Sequence, residues 1–329
     1  MIEDAPCSGS RVWFGDKNVD TIPFGYIPVE PVGQGAYGFV FSALKVGNRE
    51  KEPIPVAIKK LNDAWDNETS KARLFRELLC MKEMNHPNVL KLVDVMYCNK
   101  AVYIVSELME TDLGSVVKSS QSLSVEQMLV IFYQLIDGVR YIHDCGIIHR
   151  DLKPRNILVS KNCDVKICDF GLARTVGPAT VPLTDYVCTR WYRAPEILVP
   201  AYTYTNKIDI FSLGCIIAEV VSKKPLLPGK DSIRQYDLIL RRFGKLSDQE
   251  IALIPDSRVR KYLHKLNVSA TINGDMEVYI GEIPTSLCPG ITALIRSLVR
   301  FDPRERATAQ IVIQSDIFRE FQPNVKGKD

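Results

Sequence analysis

The 329-residue chain is 46% hydrophobic and sets 42 Lys+Arg against 39 Asp+Glu, a formal net charge of +3. A balance this even gives no argument for nucleic acid or an anionic membrane as the main partner. The most apolar window, Leu213 to Val221, contains Glu219 and falls far short of the roughly 20 apolar residues that span a bilayer. The length allows about two domains with a substantial core. The 9 cysteines are an odd number without zinc spacing, Cys163 and Cys168 being too far apart for a Cys-x-x-Cys. They predict reduced thiols in a cytosolic or nuclear compartment, mostly buried as small hydrophobes.

Residues 1–23 are rich in acids, Pro and polar residues, lack the apolar run of a secretory signal, and read as an N-terminal arm. From 24 to 108, short β-branched and aromatic runs are broken by Gly, Pro and Asn, with one helical pattern from Ser70 to Met84. This predicts a small antiparallel sheet carrying one helix. Within it, Gly33-Gln34-Gly35-Ala36-Tyr37-Gly38 leads into Phe39-Val40-Phe41-Ser42, which reads as a strand. A dinucleotide fold would need a helix there. The glycines therefore belong at the tip of a β-hairpin, where backbone N–H groups can lie over phosphates.

Lys59 ends the strand Val56-Ala57-Ile58 and by itself reads as a solvated edge. Glu77 changes that reading, because Leu74, Glu77, Leu78 and Met81 stand at i, i+3, i+4 and i+7 and place an acid on a buried stripe. A carboxylate there needs a cation, and Lys59 is the natural partner.

A boundary is expected near Glu107 to Asp112, and from 109 to 322 helices dominate. Ser124-Val125-Glu126-Gln127 is a capping box. The helix it opens should run to about His143 and end with Gly146 in the left-handed region. In His149-Arg150-Asp151-Leu152-Lys153-Pro154-Arg155-Asn156, Asp151 is placed to accept a hydroxyl proton and Asn156 offers a carbonyl oxygen to magnesium. His149 reads as structural. Asp169 of Asp169-Phe170-Gly171 brings a second hard oxygen ligand suited to magnesium. Asp209 to Val221 is apolar nearly all round and reads as a helix enclosed by others. Residues 323–329 form a C-terminal tail.

These stretches, in this order, match the protein-kinase signature set. Across about 24–321 the chain resembles eukaryotic protein kinases, which implies an α+β, bilobal fold with a small sheet lobe and a larger, mainly helical lobe. Lys153 within Asp-Leu-Lys-Pro-x-Asn looks like the serine/threonine type. Thr184-Asp185-Tyr186, lying between Asp169 and Ala194-Pro195-Glu196, looks like the Thr-x-Tyr activation motif of mitogen-activated protein kinases. Val102 to Leu113 and Thr189-Arg190-Trp191-Tyr192-Arg193 are similar to the same family.

The resemblance implies ATP and Mg2+ as cofactors. It puts Asp151, Lys59, Glu77, Lys153, Asn156 and Asp169 in catalysis, with Asn156 and Asp169 on the metal. The nucleotide would lie against Val32, Gly33, Gln34, Gly35, Ala36, Tyr37, Gly38, Val40, Ala57, Lys59, Ser106 at the gatekeeper position, Glu107, Met109, Asp112 and Leu158. Arg193 would shape a pocket that favours proline, which has no N–H to strand there, so Ser/Thr-Pro sites in proteins are the implied substrates. Phospho-Thr184 would draw together Arg76, Arg150 and Arg174, and phospho-Tyr186 would meet Arg190 and Arg193. An upstream dual-specificity MAP kinase kinase and phosphatases are the implied regulators of a monomer that binds neither nucleic acid nor membrane.

A cyclin-dependent kinase would share the pocket, but Lys71 to Leu79 lacks its cyclin-binding helix motif and Tyr186 would have no purpose. Three positions depart from the family: Arg155 where small or acidic residues are common, Phe211 where Trp is usual, and Gln322 to Lys328 in place of an acidic docking patch. The last predicts weak binding of basic docking peptides.

Overall fold

The computed structural model describes residues 7–8, 12–14, 17–19, 22–23, 25–35, 38–46, 52–62, 67–175, 190–198, 204–243, 247–252, 257–269 and 289–321. They fall into two compact units, Met1–Glu110 with Cys168–Leu172, and Thr111–Ile167 with Ala173–Asp329. Phe24, which opens the expected sheet lobe, lies outside the described residues.

In the first unit, β1 (Tyr26–Gly35), β2 (Gly38–Lys45), β3 (Ile54–Leu61), β4 (Leu92–Cys98) and β5 (Ala101–Glu107) form one antiparallel sheet in the order β1-β2-β3-β5-β4. Alternation turns Phe41, Ala43, Val56, Ile58, Tyr103 and Val105 into one buried cluster. Asn99 and Lys100, both at positive φ (47° and 65°), make the two-residue turn between β4 and β5, the handedness that suits strand twist. Helix α1 (Glu68–Glu83) begins where Asn67 accepts from the Ser70 amide at 2.8 Å. It buries Leu74, Glu77, Cys80 and Met81. Cys80 takes the place expected of Leu78, which is only half-buried.

The second unit is helical around α5 (Lys207–Ser222), in which every residue from Ile208 to Val221 is buried. Helix α2 (Leu113–Lys118) is capped by Asp112. Helix α3 (Val125–Asp144) has the expected capping box, Ser124 Oγ accepting from the Gln127 amide at 3.2 Å and Gln127 Oε1 from the Ser124 amide at 2.9 Å. Gly146 follows at φ 69°. Strands β6 (Thr111–Asp112), β7 (Ile147–Ile148), β8 (Ile157–Val159), β9 (Val165–Ile167) and β10 (Arg174–Thr175) make two small antiparallel ladders, β6-β8-β9 and β7-β10. Helices α4 (Pro195–Leu198), α6 (Ser232–Phe243), α7 (Asp248–Ala252), α8 (Ser257–Ser269) and α9 (Pro289–Leu298) follow.

Gly214 lets α5 approach the end of α9 closely: a Cβ there would stand 2.3 Å from Val299 Cγ2 and 2.8 Å from Leu298 Cβ. The expectation of reduced thiols holds for Cys80, Cys145, Cys163, Cys168 and Cys215. It fails at Cys98, which is disulfide-bonded. No helix among the described residues is long and apolar enough to cross a membrane.

Candidate active site

In the first unit the Gly-rich run sits where hairpin logic puts it. Gly35 pairs with Gly38 at the end of the β1-β2 ladder, with Gly33 opposite Val40. A Cβ at Gly38 would stand 2.4 Å from the carbonyl oxygen of Lys60, so the close approach of β2 to β3 requires glycine. At Gly33 a Cβ would meet nothing within 4 Å, which leaves open space beside the backbone. Ala36 and Tyr37 lie outside the described residues. Val32 is exposed, Val40 and Ala57 are half-buried, and Lys59 stands opposite Val40 in the β2-β3 register.

Lys59 Nζ donates to Glu77 Oε1 at 2.6 Å. Burial alone would lower the pKa of the ammonium, but the carboxylates of Glu77 and Asp169 outweigh it and the net shift is upward, so the lysine stays charged. Helix α1 also holds the Asp169 segment, Arg76 Nη1 donating to the carbonyl of Gly171 at 2.6 Å, while Phe170 is fully buried. Asp169 itself has φ 66°, left-handed backbone that a non-glycine residue rarely adopts.

Ala57 pairs with Ser106 and Val56 with Glu107 across β3 and β5. Ser106 is buried and donates to the carbonyl of Glu107 at 3.3 Å. Glu107 Oε1 accepts from the Lys91 amide at 2.9 Å, and Met109 is half-buried.

The second unit gathers the other expected residues. Asp151 Oδ2 accepts from Lys153 Nζ and, at 3.2 Å, from Asn156 Nδ2, which also donates to the Asp151 carbonyl at 2.8 Å. These bonds fix which end of the Asn156 amide carries the acceptor oxygen. Leu158, on β8, is half-buried and pairs with Asp112. Asp112, expected at a ribose, caps α2: its carboxylate accepts from the Ser115 amide at 3.0 Å and the Ser115 hydroxyl at 2.7 Å.

The catalytic-loop backbone hangs from a residue whose role the sequence did not reveal. Asp209, on α5 and 1% exposed, accepts from the amides of His149 at 2.8 Å and Arg150 at 2.9 Å, and its Oδ2 lies 2.9 Å from His143 Nε2. Burial would raise its pKa, but His143, His149 and the Arg150 amide hold it below the usual carboxylate value. Arg150 is thereby kept at φ 71°. His149 is fully buried and accepts from the Asp151 amide at 3.3 Å through Nδ1, the structural role expected of it.

Arg306 also went unnoticed in the sequence. Fully buried, it grips Glu196 with two bonds of 2.5 and 2.8 Å, donates to the carbonyls of Arg300, Phe301 and Lys207, and lies 5.0 Å above the Phe211 ring. The Phe at 211 thus supplies an aromatic floor for a guanidinium. In both cases the available signal was an acid in a segment otherwise built for the interior, since a buried carboxylate demands a partner. A cavity beside Asp151 is walled by Leu152, Tyr192, Arg193 and Ile197. Thr184, Asp185, Tyr186 and Thr189 lie outside the described residues.

The donor set suits magnesium and nucleotide. Asp169 in the first unit and Asn156 in the second each offer a hard oxygen of the kind magnesium takes. A charged lysine and open space beside Gly33 fit the phosphates.

The protein kinase domain model matches residues 26–318. Curated relatives include mitogen-activated protein kinase 4 of Oryza sativa subsp. japonica, 42% identical over 291 residues covering 85% of this chain and 75% of that protein. Mitogen-activated protein kinase homolog 1 of Petunia hybrida is 40% identical over 308 residues, covering 92% of this chain and 77% of that protein. Mitogen-activated protein kinase 2 of Arabidopsis thaliana is 39% identical over 298 residues, covering 88% and 76%.

Proposed function

The chain belongs to the mitogen-activated protein kinase family of serine/threonine protein kinases, and from that premise we propose that it phosphorylates Ser/Thr-Pro sites in proteins and is switched on by phosphorylation of both Thr184 and Tyr186. The observation that carries the chemistry is the Asp151 carboxylate, held by Lys153 and Asn156 on a loop suspended from Asp209.

Asp151 accepts the proton of the incoming hydroxyl as it attacks. Lys153, bonded to the same carboxylate, places a positive charge where negative charge builds up. Lys59, fixed by Glu77, would steady the α- and β-phosphates of ATP, and the Gly-rich hairpin would offer them backbone N–H groups. Asn156 and Asp169 would each offer a hard oxygen to magnesium, which would supply neutralisation of charge on the phosphates. The proline preference is carried over from the family resemblance at Arg193. Phosphates on Thr184 and Tyr186 would each add nearly two negative charges for arginines of the same unit, Arg150 and Arg174 for the first and Arg190 and Arg193 for the second. A dual-specificity kinase supplies them, phosphatases remove them, and the monomeric enzyme works in the cytoplasm and nucleus.

A peptide-library screen of the doubly phosphorylated enzyme should select proline directly after the phosphoacceptor. The Thr184→Ala/Tyr186→Phe protein should stay at basal activity after treatment with an activating kinase. Activity equal to that of the doubly phosphorylated form would remove the switch from this reading.

A further inference from the structure

Helix α8 reads Ser-Arg-Val-Arg-Lys-Tyr-Leu-His-Lys-Leu-Asn-Val-Ser, with four Lys+Arg and no acid. The whole chain is only +3, so this one helix exceeds the net charge of the protein and the remainder sums to −1. Packing settles its inward side. Leu263 is buried with Tyr236 and Leu240 of α6 and Ile251 of α7, and Tyr262 packs against them. Lys261, His264 and Lys265, at i, i+3 and i+4, are exposed and form a neighbouring group on the helix surface.

Helix α8 contains no acid of its own. Its first turn holds Arg258 and Arg260 and no acid, although the positive end of the helix dipole favours acids there. Asp248 of α7 stands 3.8 Å from His264, Arg260 has a partner of its own, and Asp237 of α6 is engaged by Arg241 at 3.1 Å. A helix kept for its packing alone has no need of such an arrangement.

We propose that the Lys261, His264 and Lys265 face of α8 docks an acidic polypeptide segment of the protein substrate. The inference rests on the kinase reading above. It is favoured by where α8 sits within its own unit. The cluster around Leu263 also takes in Leu198 at the end of α4. Helix α6 is tied to the cavity segment as well: Gln235 Nε2 donates to the Trp191 carbonyl at 3.3 Å, Trp191 Nε1 to the Gly229 carbonyl at 3.1 Å, and the Gly229 amide to Gln235 Oε1 at 3.0 Å. A chain held at α8 is therefore anchored on the same unit as Asp151 and Arg193. Acidic polypeptide is preferred to other anions because the positive charge is confined to one helix, while a chain of only +3 as a whole is poorly suited to an extended polyanion or an anionic bilayer.

The test compares two Ser-Pro peptides, one extended through a flexible Gly-Ser linker by a Glu-rich tail, as substrates of the doubly phosphorylated enzyme. The tail should lower KM about tenfold. Lys261→Glu/Lys265→Glu should erase that gain while leaving kcat and the KM of the untailed peptide unchanged, and added salt should erase it in the wild type. Equal KM values for the two peptides in the wild type, or a gain that survives the double substitution, would overturn the docking surface. Fluorescence anisotropy of the labelled tail alone, with no Ser-Pro core, separates the two readings. An enzyme that phosphorylates neither peptide yet binds the tail through Lys261 and Lys265 defeats the substrate reading and keeps the surface. Tighter binding of a DNA duplex or of anionic vesicles than of the tail overturns it in favour of those partners.

Discussion

Asp151 shares its carboxylate between Lys153 and Asn156, while its own amide donates to His149. Asp151→Asn keeps the shape of the side chain but removes the base. Turnover should fall about 100-fold or more with Mg-ATP affinity nearly unchanged, measured by steady-state kinetics beside calorimetric nucleotide binding. Lys59→Met should also abolish useful turnover, because it strips charge from the phosphates and strands the buried Glu77. Wild-type-like turnover in either variant would remove that residue from the chemistry. Both members of the Lys59–Glu77 pair were legible in the sequence because helical spacing alone exposes an acid on a buried stripe. Asp209 was not, since its three partners come from residues about 60 positions earlier and no local period records such a meeting. Asp112 was legible as a site residue only by resemblance, and its capping bonds to Ser115 are what the geometry adds.

Elements were most legible where their ends carry local chemistry. The limits of α3 followed from the Ser124–Gln127 box and Gly146. Helix α5 runs two residues further back and one further on than its apolar pattern suggests, because Asn206 makes no side-chain cap bond and Lys223, not glycine, takes the left-handed position at φ 57°. What holds α5 to its neighbours is non-local. Arg306→Ala would leave Glu196 buried without its guanidinium and should cost about 3–5 kcal/mol. Arg306→Lys should recover little, since an ammonium cannot grip the carboxylate with two parallel bonds or lie flat on Phe211. Gly214→Ala tests the other contact: the added methyl meets Val299 and the Leu298 Cβ, and overpacking of this kind costs about 1–3 kcal/mol. Urea denaturation of the three variants would measure all of this. A Gly214→Ala protein as stable as the wild type would show that α5 and the end of α9 separate freely.

At the scale of the whole molecule, one assignment escaped the sequence entirely: Cys168–Leu172 belongs with the first unit although it lies far along the chain. The cause is the hold of α1 on that segment, Arg76 bonding the Gly171 carbonyl, a contact between residues 95 positions apart in sequence. Each unit also carries a charge that limits its pH range, buried at Asp209 and half-buried at Lys59. The folded pKa of Asp209 is depressed, so its stabilisation is complete above the unfolded carboxylate value of about 3.9 and is lost as pH falls through the lower folded value. The folded pKa of Lys59 is raised, so its stabilisation is complete below about 10.4 and is lost as pH rises through the higher folded value. Between these limits neither group gives stability a slope. The margin of the wild type over Asp209→Asn should therefore shrink as the solution is acidified below about pH 4. Against Lys59→Met the margin should shrink in strong alkali. Urea unfolding across this range reads both differences directly. A margin over Asp209→Asn that stays constant to the lowest pH would mean that the carboxylate under the catalytic loop titrates alike in the folded and unfolded chains, and its bonds to His143, His149 and Arg150 would then contribute nothing that depends on its charge.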